Sequence, residues 1–335
     1  MKKTIIPKNY SSALTLYETQ NAIGILKRAF EDRLSAALNL KRVTAPLFVD
    51  PMTGLNDNLN GIERPVTFDI PSAGVNAEVV HSLAKWKRMA LYRYDFREGK
   101  GLYTDMNAIR RDETPDNLHS VYVDQWDWEK VISPADRTLD TLYSTVEEIV
   151  RAICDTLDVV KAKYPAIKTC LSRDVKFITS EELLCRYPDK TGKERELMAA
   201  REFGTVFVSQ IGAPLSNGRP HDGRAPDYDD WSKNGDIIFY NELLDCPFEI
   251  SSMGVRVNAE ALDRQLAAAG CDDRRSLTYH RMLLDGVLPE TIGGGIGQSR
   301  LSMLLLCKAH IGEVQSSVWD SETVDACTKA GIVLL

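Results

Sequence analysis

The period of the apolar positions changes several times along the chain, and each change marks an element. Between Ser11 and Leu40, the residues Ile23, Leu26, Phe30, Leu34 and Leu38 recur at helical spacing. Arg42–Val49 then reads as a strand, which Pro46, lacking an N–H, confines to an edge or an interface. Asp50–Gly61 is dense in turn formers, and Asp57 is most simply one of them. Short strands at 65–70 and 77–82 lead into His81–Leu91, a strand end becoming a helix with Ser82 as its N-cap. Lys85, Lys87 and Arg88 on that helix read either as a solvated face or as cations facing a bound carboxylate.

Leu102–Glu129 is more informative. A strand ends in the charged run Ala108–Glu113, a polar turn follows at Thr114–Asn117, and a second strand runs from Leu118 to Glu129. With period two, one face of that strand carries Val121, Val123, Gln125, Asp127 and Glu129, and the other Tyr122, Asp124, Trp126 and Trp128. The aromatic face suits packing against a helix. Carboxylates on the opposite face need partners if they are buried, since an unpaired buried charge is costly; an edge strand with one wet face is the alternative. A long amphipathic helix follows, its stripe formed by Leu139, Leu142, Val146, Ile149, Ile153, Leu157 and Val160.

Strands at 175–179 and 205–211 are separated by helical segments near 181–186 and 192–202. Asn217–Trp231 has neither period and reads as a polar loop, with Arg224 and Asp229 as its candidate functional residues. Asn234–Val257 reads as two neighbouring strands, in which Asp236, Glu249 and Arg256 are ionisable groups that need a reason to be there. Two carboxylates on adjacent strands could hold Mg²⁺ bridging phosphate oxygens. Helices at 258–269 and 275–286 precede Thr291–Arg300, which has four glycines in five positions. That run reads either as a tight turn before the apolar helix Leu301–Cys307 or as an anion cradle assisted by Arg300. It is not a P-loop, because no Gly-Lys-Ser/Thr follows. Too little chain remains after it for a dinucleotide-binding βαβ unit, only about one helix and one short strand.

Composition narrows the options. The 335 residues are 44% hydrophobic, enough for a sizeable core, and neither a repeat nor a low-complexity linker divides them, so one domain over 1–335 is expected. A net charge of −7 argues against a partner made of nucleic acid or anionic membrane. No apolar run is long enough to span a bilayer, and Met1–Lys8 is basic without the apolar core of a secretory signal. Seven dispersed cysteines without a C-x-x-C pair point to reduced thiols and a cytoplasmic location. The five scattered histidines form no zinc spacing.

Several long strings, in order, resemble one family. They are His81–Arg88, His119–Glu129, Arg224–Trp231, Phe248–Gly254 and Gly293–Arg300. Together they are similar to the catalytic core of class II aminoacyl-tRNA synthetases, and most closely to the ammonia-dependent aspartate–ammonia ligase (asparagine synthetase A) family. The resemblance runs nearly end to end and implies an α+β fold, a mainly antiparallel sheet flanked by helices. It also implies a homodimer built on the helix and strand around Pro46. Arg110 resembles the arginine that grips the α-phosphate of ATP, and His119 with Val123 stands where the motif has His/Arg-x-x-x-Phe. Arg300, with Gly295 in the glycine run, resembles the motif that borders adenosine, while Asp236 and Glu249 resemble the carboxylates that hold Mg²⁺ and ATP.

For the amino acid, the resemblance points to Asp57, Ser82, Lys87, Gln125, Asp127, Arg224, Asp229, Ser251, Ser252 and Arg256. Chemistry suggests a division of labour. Lys87 and Arg224 suit the non-reacting carboxylate, and Asp127 or Asp229 the ammonium group. Asp57, free on its loop, would meet ammonium and accept its proton; Arg110 and Gln125 complete the catalytic set. The implied reaction makes L-asparagine from L-aspartate, ammonia and ATP through β-aspartyl-AMP. A tRNA synthetase for aspartate or asparagine would be expected to add an anticodon-binding domain and a more basic face. A non-catalytic relative would be expected to lack Arg110, Glu249 or Arg300, all of which are present.

Overall fold

In the computed structural model, residues 4–59 and 61–335 are described; Met1–Lys3, at the start of the segment read as lacking a leader, and Asn60 of the 50–61 loop lie outside them. Helix α1 (Leu16–Leu38) starts at a capping box in which Thr15 and Glu18 satisfy each other's backbone N–H groups. Leu26, Phe30, Leu34 and Leu38 form its buried stripe. The expected strand 42–49 divides into β1 (Leu40–Arg42) and β2 (Phe48–Val49), which enter different sheets on either side of Pro46. Next come β3 (Thr67–Ile70), β4 (Val75–Val79), α2 (Ala84–Arg93), β5 (Gly101–Ile109), β6 (Tyr122–Val131) and α3 (Leu139–Lys163). The middle of the chain forms β7 (Lys176–Thr179), α4 (Ser180–Arg186), α5 (Gly192–Phe203), β8 (Thr205–Ser209), β9 (Asp229–Asn241) and β10 (Cys246–Arg256). The last elements are α6 (Ala259–Ala269), α7 (Thr278–Leu284), β11 (Thr291–Gly297), α8 (Gln298–Leu305) and α9 (Ser321–Lys329).

The described residues build an eight-stranded sheet in the order β1-β5-β6-β11-β10-β9-β8-β7 and a small sheet β2-β4-β3. The large sheet is antiparallel except at its two ends, where β1 runs parallel to β5 and β7 to β8. One face packs on α1, α3 and α8. There Trp126 meets Phe30 at 4.8 Å between ring centroids, and its indole N–H donates to Glu31 at 3.0 Å. The other face is closed at one end by α2, α6 and α7 and at the other by α4 and α5. The open stretch between them exposes the middle strands.

The sheet decides one open sequence reading and changes another. β6 is an interior strand paired with both β5 and β11, so its Gln-Asp-Glu face lies inside the protein and is not a wet edge. The glycine run is neither a turn nor a loop cradle; it is β11, paired with β10 and β6 along its length. Its glycines keep ordinary strand dihedrals, so what they provide is close approach. A Cβ on Gly293 would sit 2.7 Å from Arg256 Nη2, and one on Gly295 2.6 Å from Gln125 Oε1. After β11 the chain forms two further helices, α8 and α9, rather than one helix and a strand.

A bulge in β10 sets its phase. The pairing with β9 shifts between Glu249 and Ser251, so Glu249 opposite Ile238 and Ser252 opposite Asp236 both face the open side. Strict alternation from Glu249 would send Arg256 to the opposite, core side.

Candidate active site

A cavity of about 380 Å³ opens over β6, β11 and β10, walled by the start of α2, by the connection from Arg110 to Ser120 and by the loops around Asp57 and Arg224. The fold brings together there Asp57, Ser82, Lys87, Arg110, His119, Val123, Gln125, Asp127, Arg224 and Asp229. Glu249, Ser251, Ser252, Arg256, Gly295 and Arg300 complete the set of expected residues on its wall. Asp236 is set back from it, buried beneath Arg224, which binds its carboxylate.

One end of the cavity is a lattice of buried charge. Lys87 donates to Asp127 and, at 2.9 Å, to the carbonyl of Gly294. Arg256 binds Asp229 and, at 3.3 Å, Glu129, which also accepts from the Thr291 hydroxyl at 2.7 Å. Burial pushes the Lys87 ammonium pKa down, with Asp127 pulling the other way. Burial also opposes charge on Arg256, but Asp229 and Glu129 outweigh it and hold the guanidinium firmly protonated. Lys85, Lys87 and Arg88 are therefore not a solvated helix face. Each is no more than 1% exposed, Lys85 paired with Asp227 at 3.2 Å and Arg88 donating to the carbonyls of Val257 and Pro289.

The Arg224 loop is held from below. Asp227 accepts from Lys85, from Arg274 at 3.0 Å and from His280 Nε2 at 2.9 Å. Burial works against its charge, yet Lys85 and the others keep Asp227 well below the usual carboxylate range. The loop expected over 217–231 ends early, since Asp229 already belongs to β9. Asp57 is likewise not free on its loop. It is 3% exposed, its Oδ2 accepts from Ser82 Oγ at 2.7 Å and its Oδ1 from the Leu59 N–H at 2.8 Å. Held this way, Ser82 is not the N-cap of α2: Leu83 occupies that position without a side-chain cap.

The other end holds two arginines without carboxylate partners among the described residues and is partly apolar. Among the described residues Arg110 and Arg300 have no ion-pair partner; Arg110 reaches only the His81 carbonyl at 3.4 Å, and Arg300 the Glu249 carbonyl at 2.9 Å. His119 Nδ1 is engaged with Asp116 at 2.8 Å. Leu118, Val123 and Ile311 supply an aliphatic slot. Asp236 and Glu249 share the same face of β9 and β10. Burial, reinforced by Glu249 and opposed by Arg224, raises Asp236 to about 6. Burial also opposes ionisation of Glu249, but Lys193, Arg300 and Arg224 hold it at about 2. Asp236 Oδ1 is buried with no hydrogen-bond partner. Two mutually repelling carboxylates with a spare inner oxygen fit a divalent cation.

Among the described residues, five cavity-lining side chains carry a buried polar atom without a hydrogen-bond partner: Arg110 Nε, Asp127 Oδ2, Arg224 Nε, Ser251 Oγ and Gln315 Oε1. Native interiors leave few such atoms unpaired, so a cluster of them marks ligand-binding capacity. Guanidinium donors match anionic groups and the free carboxylate oxygen an ammonium group. Several wall residues escaped the sequence reading. Gln315 lies in a stretch without a periodic or motif signal, and behind the wall Lys193 of α5, in a segment read only as helical, stands 3.9 Å from Glu249. Tyr228 lies in a stretch dominated by charged residues and has no motif signal of its own.

Comparison with known proteins bears on this geometry. The sequence pattern of the family described as aspartate-ammonia ligase matches residues 17–331. The aspartate–ammonia ligase of Clostridium perfringens is 56% identical over 336 residues, covering 100% of both chains. That of Fusobacterium nucleatum is 56% identical, covering 97% of this chain and 99% of its own. Among solved structures, the Entamoeba histolytica asparaginyl-tRNA synthetase in complex with asparaginyl-adenylate superposes with a TM-score of 0.65. The match is 14% identical and covers 90% of this chain and 66% of the synthetase, a likeness of fold.

Proposed function

The chain belongs to the aspartate–ammonia ligase family, on a class II synthetase fold, and makes asparagine from aspartate and ammonia; we propose that it does so in one catalytic domain, through β-aspartyl-AMP formed from ATP. The observation that carries this reading is the set of unpaired polar atoms on the cavity wall, which complements a doubly acidic amino acid beside a nucleotide phosphate.

In the first step a β-carboxylate oxygen attacks the α-phosphorus of ATP, and the bond to pyrophosphate breaks. Arg110, with no carboxylate to neutralise it, is the group to meet the α-phosphate and the attacking carboxylate together, and Arg300 meets the nucleotide beyond it. His119, Val123 and Gly295 would border the adenosine. Arg224, through its spare Nε, and Lys87 suit the α-carboxylate of aspartate, and Asp127 Oδ2 its ammonium. Asp229 and Arg256 neutralise one another and brace this pocket, with Ser251 and Ser252 offering hydroxyls beside it. In the second step ammonia attacks the activated carbonyl, the carbon–oxygen bond breaks and AMP leaves. Asp57, fixed by Ser82 and Leu59, keeps acceptor capacity on both oxygens to orient ammonium and take its proton, and Gln125 lies between the two halves of the site.

Asp236 and Glu249 would hold Mg²⁺, which when bound supplies positive charge against the phosphate oxygens. Among the described residues these two carboxylates have no third ligating side chain beside them, so substrate oxygens and water would complete the shell. The reading includes a homodimer through α1 and the Pro46 segment, where Leu47 is 53% and Phe48 42% exposed. It includes a cytoplasmic location, supported by cysteines that are all free thiols, and no nucleic-acid partner, given the net charge of −7. Among the described residues no helix is long and apolar enough to cross a membrane.

Incubation with ATP, Mg²⁺, ammonium and aspartate carrying ¹⁸O in its β-carboxylate tests the scheme. AMP bearing the label, together with pyrophosphate and asparagine, is expected. ADP with labelled inorganic phosphate would replace the adenylate by an acyl phosphate, and product from glutamine alone would remove ammonia as the nucleophile.

A further inference from the structure

We propose that Gln315 is the specificity residue that selects adenine, by accepting a hydrogen bond from the exocyclic amine of the base; this rests on the ATP reading above. Gln315 is 4% exposed, lies between α8 and α9, and lines the cavity at the end that holds Leu118, Val123 and Ile311. Those three aliphatic side chains can grip any purine by its faces, yet they cannot tell one purine from another. Discrimination there has to come from a polar atom.

Most of the neighbouring side-chain groups are already engaged, His119 Nε2 being the exception. Ser120 Oγ is paired with Ser317 Oγ at 2.7 Å, and His119 Nδ1 with Asp116. Asp124 accepts from the N–H of Ser299 at 3.0 Å and from its hydroxyl at 2.8 Å. Gln315 Nε2 donates to Ser299 Oγ at 3.0 Å and to Asp124 Oδ1 at 3.4 Å. This chain of bonds fixes which way the amide lies. A carboxylate only accepts, and the Ser299 hydroxyl has given its hydrogen to Asp124, so both neighbours need the NH₂ of Gln315. A flipped amide would set its oxygen against the carboxylate. The oxygen that remains, Oε1, is buried and has no partner among the described residues. A purine with an amine at position 6 satisfies it, whereas one with a carbonyl there presents an acceptor to an acceptor and cannot be accommodated by rotation of the amide.

The test compares kcat/KM for ATP, purine riboside 5′-triphosphate, which lacks the amine, and inosine triphosphate, in the wild type and in Gln315→Leu. The wild type should prefer ATP over the purine riboside by roughly 10- to 100-fold, the cost of leaving a buried acceptor unpaired, and use inosine triphosphate no better. In Gln315→Leu the preference for ATP over the purine riboside should collapse to about onefold, with the KM for aspartate little changed. A preference that survives the substitution would mean another group reads the amine and would overturn the proposal. So would a wild type that uses all three nucleotides alike, a result that stands even if the variant does not fold. A wild type that forms no AMP or asparagine from any of them would instead remove the ATP reading itself.

Discussion

Asp127→Asn keeps the shape of the side chain and deletes its charge, which acts on two things at once. The first is stability. Lys87 is fully buried, with Asp127 as its ion-pair partner and the Gly294 carbonyl as its other acceptor. Removing one member of a buried pair costs roughly 3–5 kcal/mol, the nearby Arg256 and Glu129 acting on Lys87 in opposite directions. An unfolding entropy of about 2.1 cal/mol/K per residue over 335 residues is about 0.7 kcal/mol/K, so Tm should fall by about 4–7 °C at pH 7. Burial already lowers the Lys87 pKa, and loss of Asp127 lowers it further. The unfolded chain then binds more protons between the lowered folded pKa and the unfolded value near ~10.4, so stability rises with pH across that window. The wild type rises in the same window, so from pH 7 to pH 9 the Tm deficit should shrink only through the further lowering that loss of Asp127 causes. The second effect is on substrate. Asp127 Oδ2 is the acceptor assigned to the ammonium of aspartate, and a charge-assisted hydrogen bond contributes about 1.5–3 kcal/mol, so the aspartate KM should rise roughly 10- to 150-fold with the ATP KM nearly constant. Thermal melts at the two pH values and initial rates of asparagine formation measure both. A variant that melts within about 1 °C of the wild type at pH 7 and keeps its aspartate KM would refute the reasoning on both counts.

Asp57→Ala should spare aspartate-dependent exchange of pyrophosphate into ATP while lowering asparagine formation by roughly 10²–10⁴-fold; equal loss in the two half-reactions would remove Asp57 from the ammonia side. Asp236, raised to about 6, should lose its charge as pH falls through that value, so affinity for ATP with Mg²⁺ should drop below pH 6 and Asp236→Asn should abolish that pH dependence. For stability the sign is opposite: the native state binds the extra proton between the unfolded value near ~3.8 and the folded one, so the unliganded protein should lose stability as pH rises through that window. Calorimetric titration of nucleotide with Mg²⁺ at pH 5.5 and 7.5, alongside melts without ligand, distinguishes these effects.

Much of the architecture is legible without coordinates because it rests on local periodicity. The stripes of α1 and α3 and the alternation along β6 follow directly from the order of apolar residues. The resemblance carried by His81–Arg88, His119–Glu129, Arg224–Trp231, Phe248–Gly254 and Gly293–Arg300 likewise names most of the cavity wall before any geometry is known. The glycine run shows where this fails. Consecutive glycines have the same local preference for a turn in any sequence, and only the strands on either side, with Arg256 and Gln125 crowding the positions where Cβ atoms would lie, make it a strand.

By itself, then, the sequence determined the elements, the α+β class and the kinds of charge gathered at the site, since these depend on side-chain identity and spacing along the chain. Tertiary structure decided which of those charges already neutralise one another. Lys85 and Arg88 belong to buried scaffolding, Asp57 is held by Ser82, and Asp236 lies behind Arg224, whereas Arg110 and Arg300 are left for a ligand. It also brought Gln315 of a loop without periodicity against Asp124 and Ser299. The physical reason is that pairing, burial and the direction of a hydrogen bond depend on distances between residues far apart in the chain, and the register shifts at Glu249–Ser251 and Gly254–Arg256 bring Arg256 opposite Asp229.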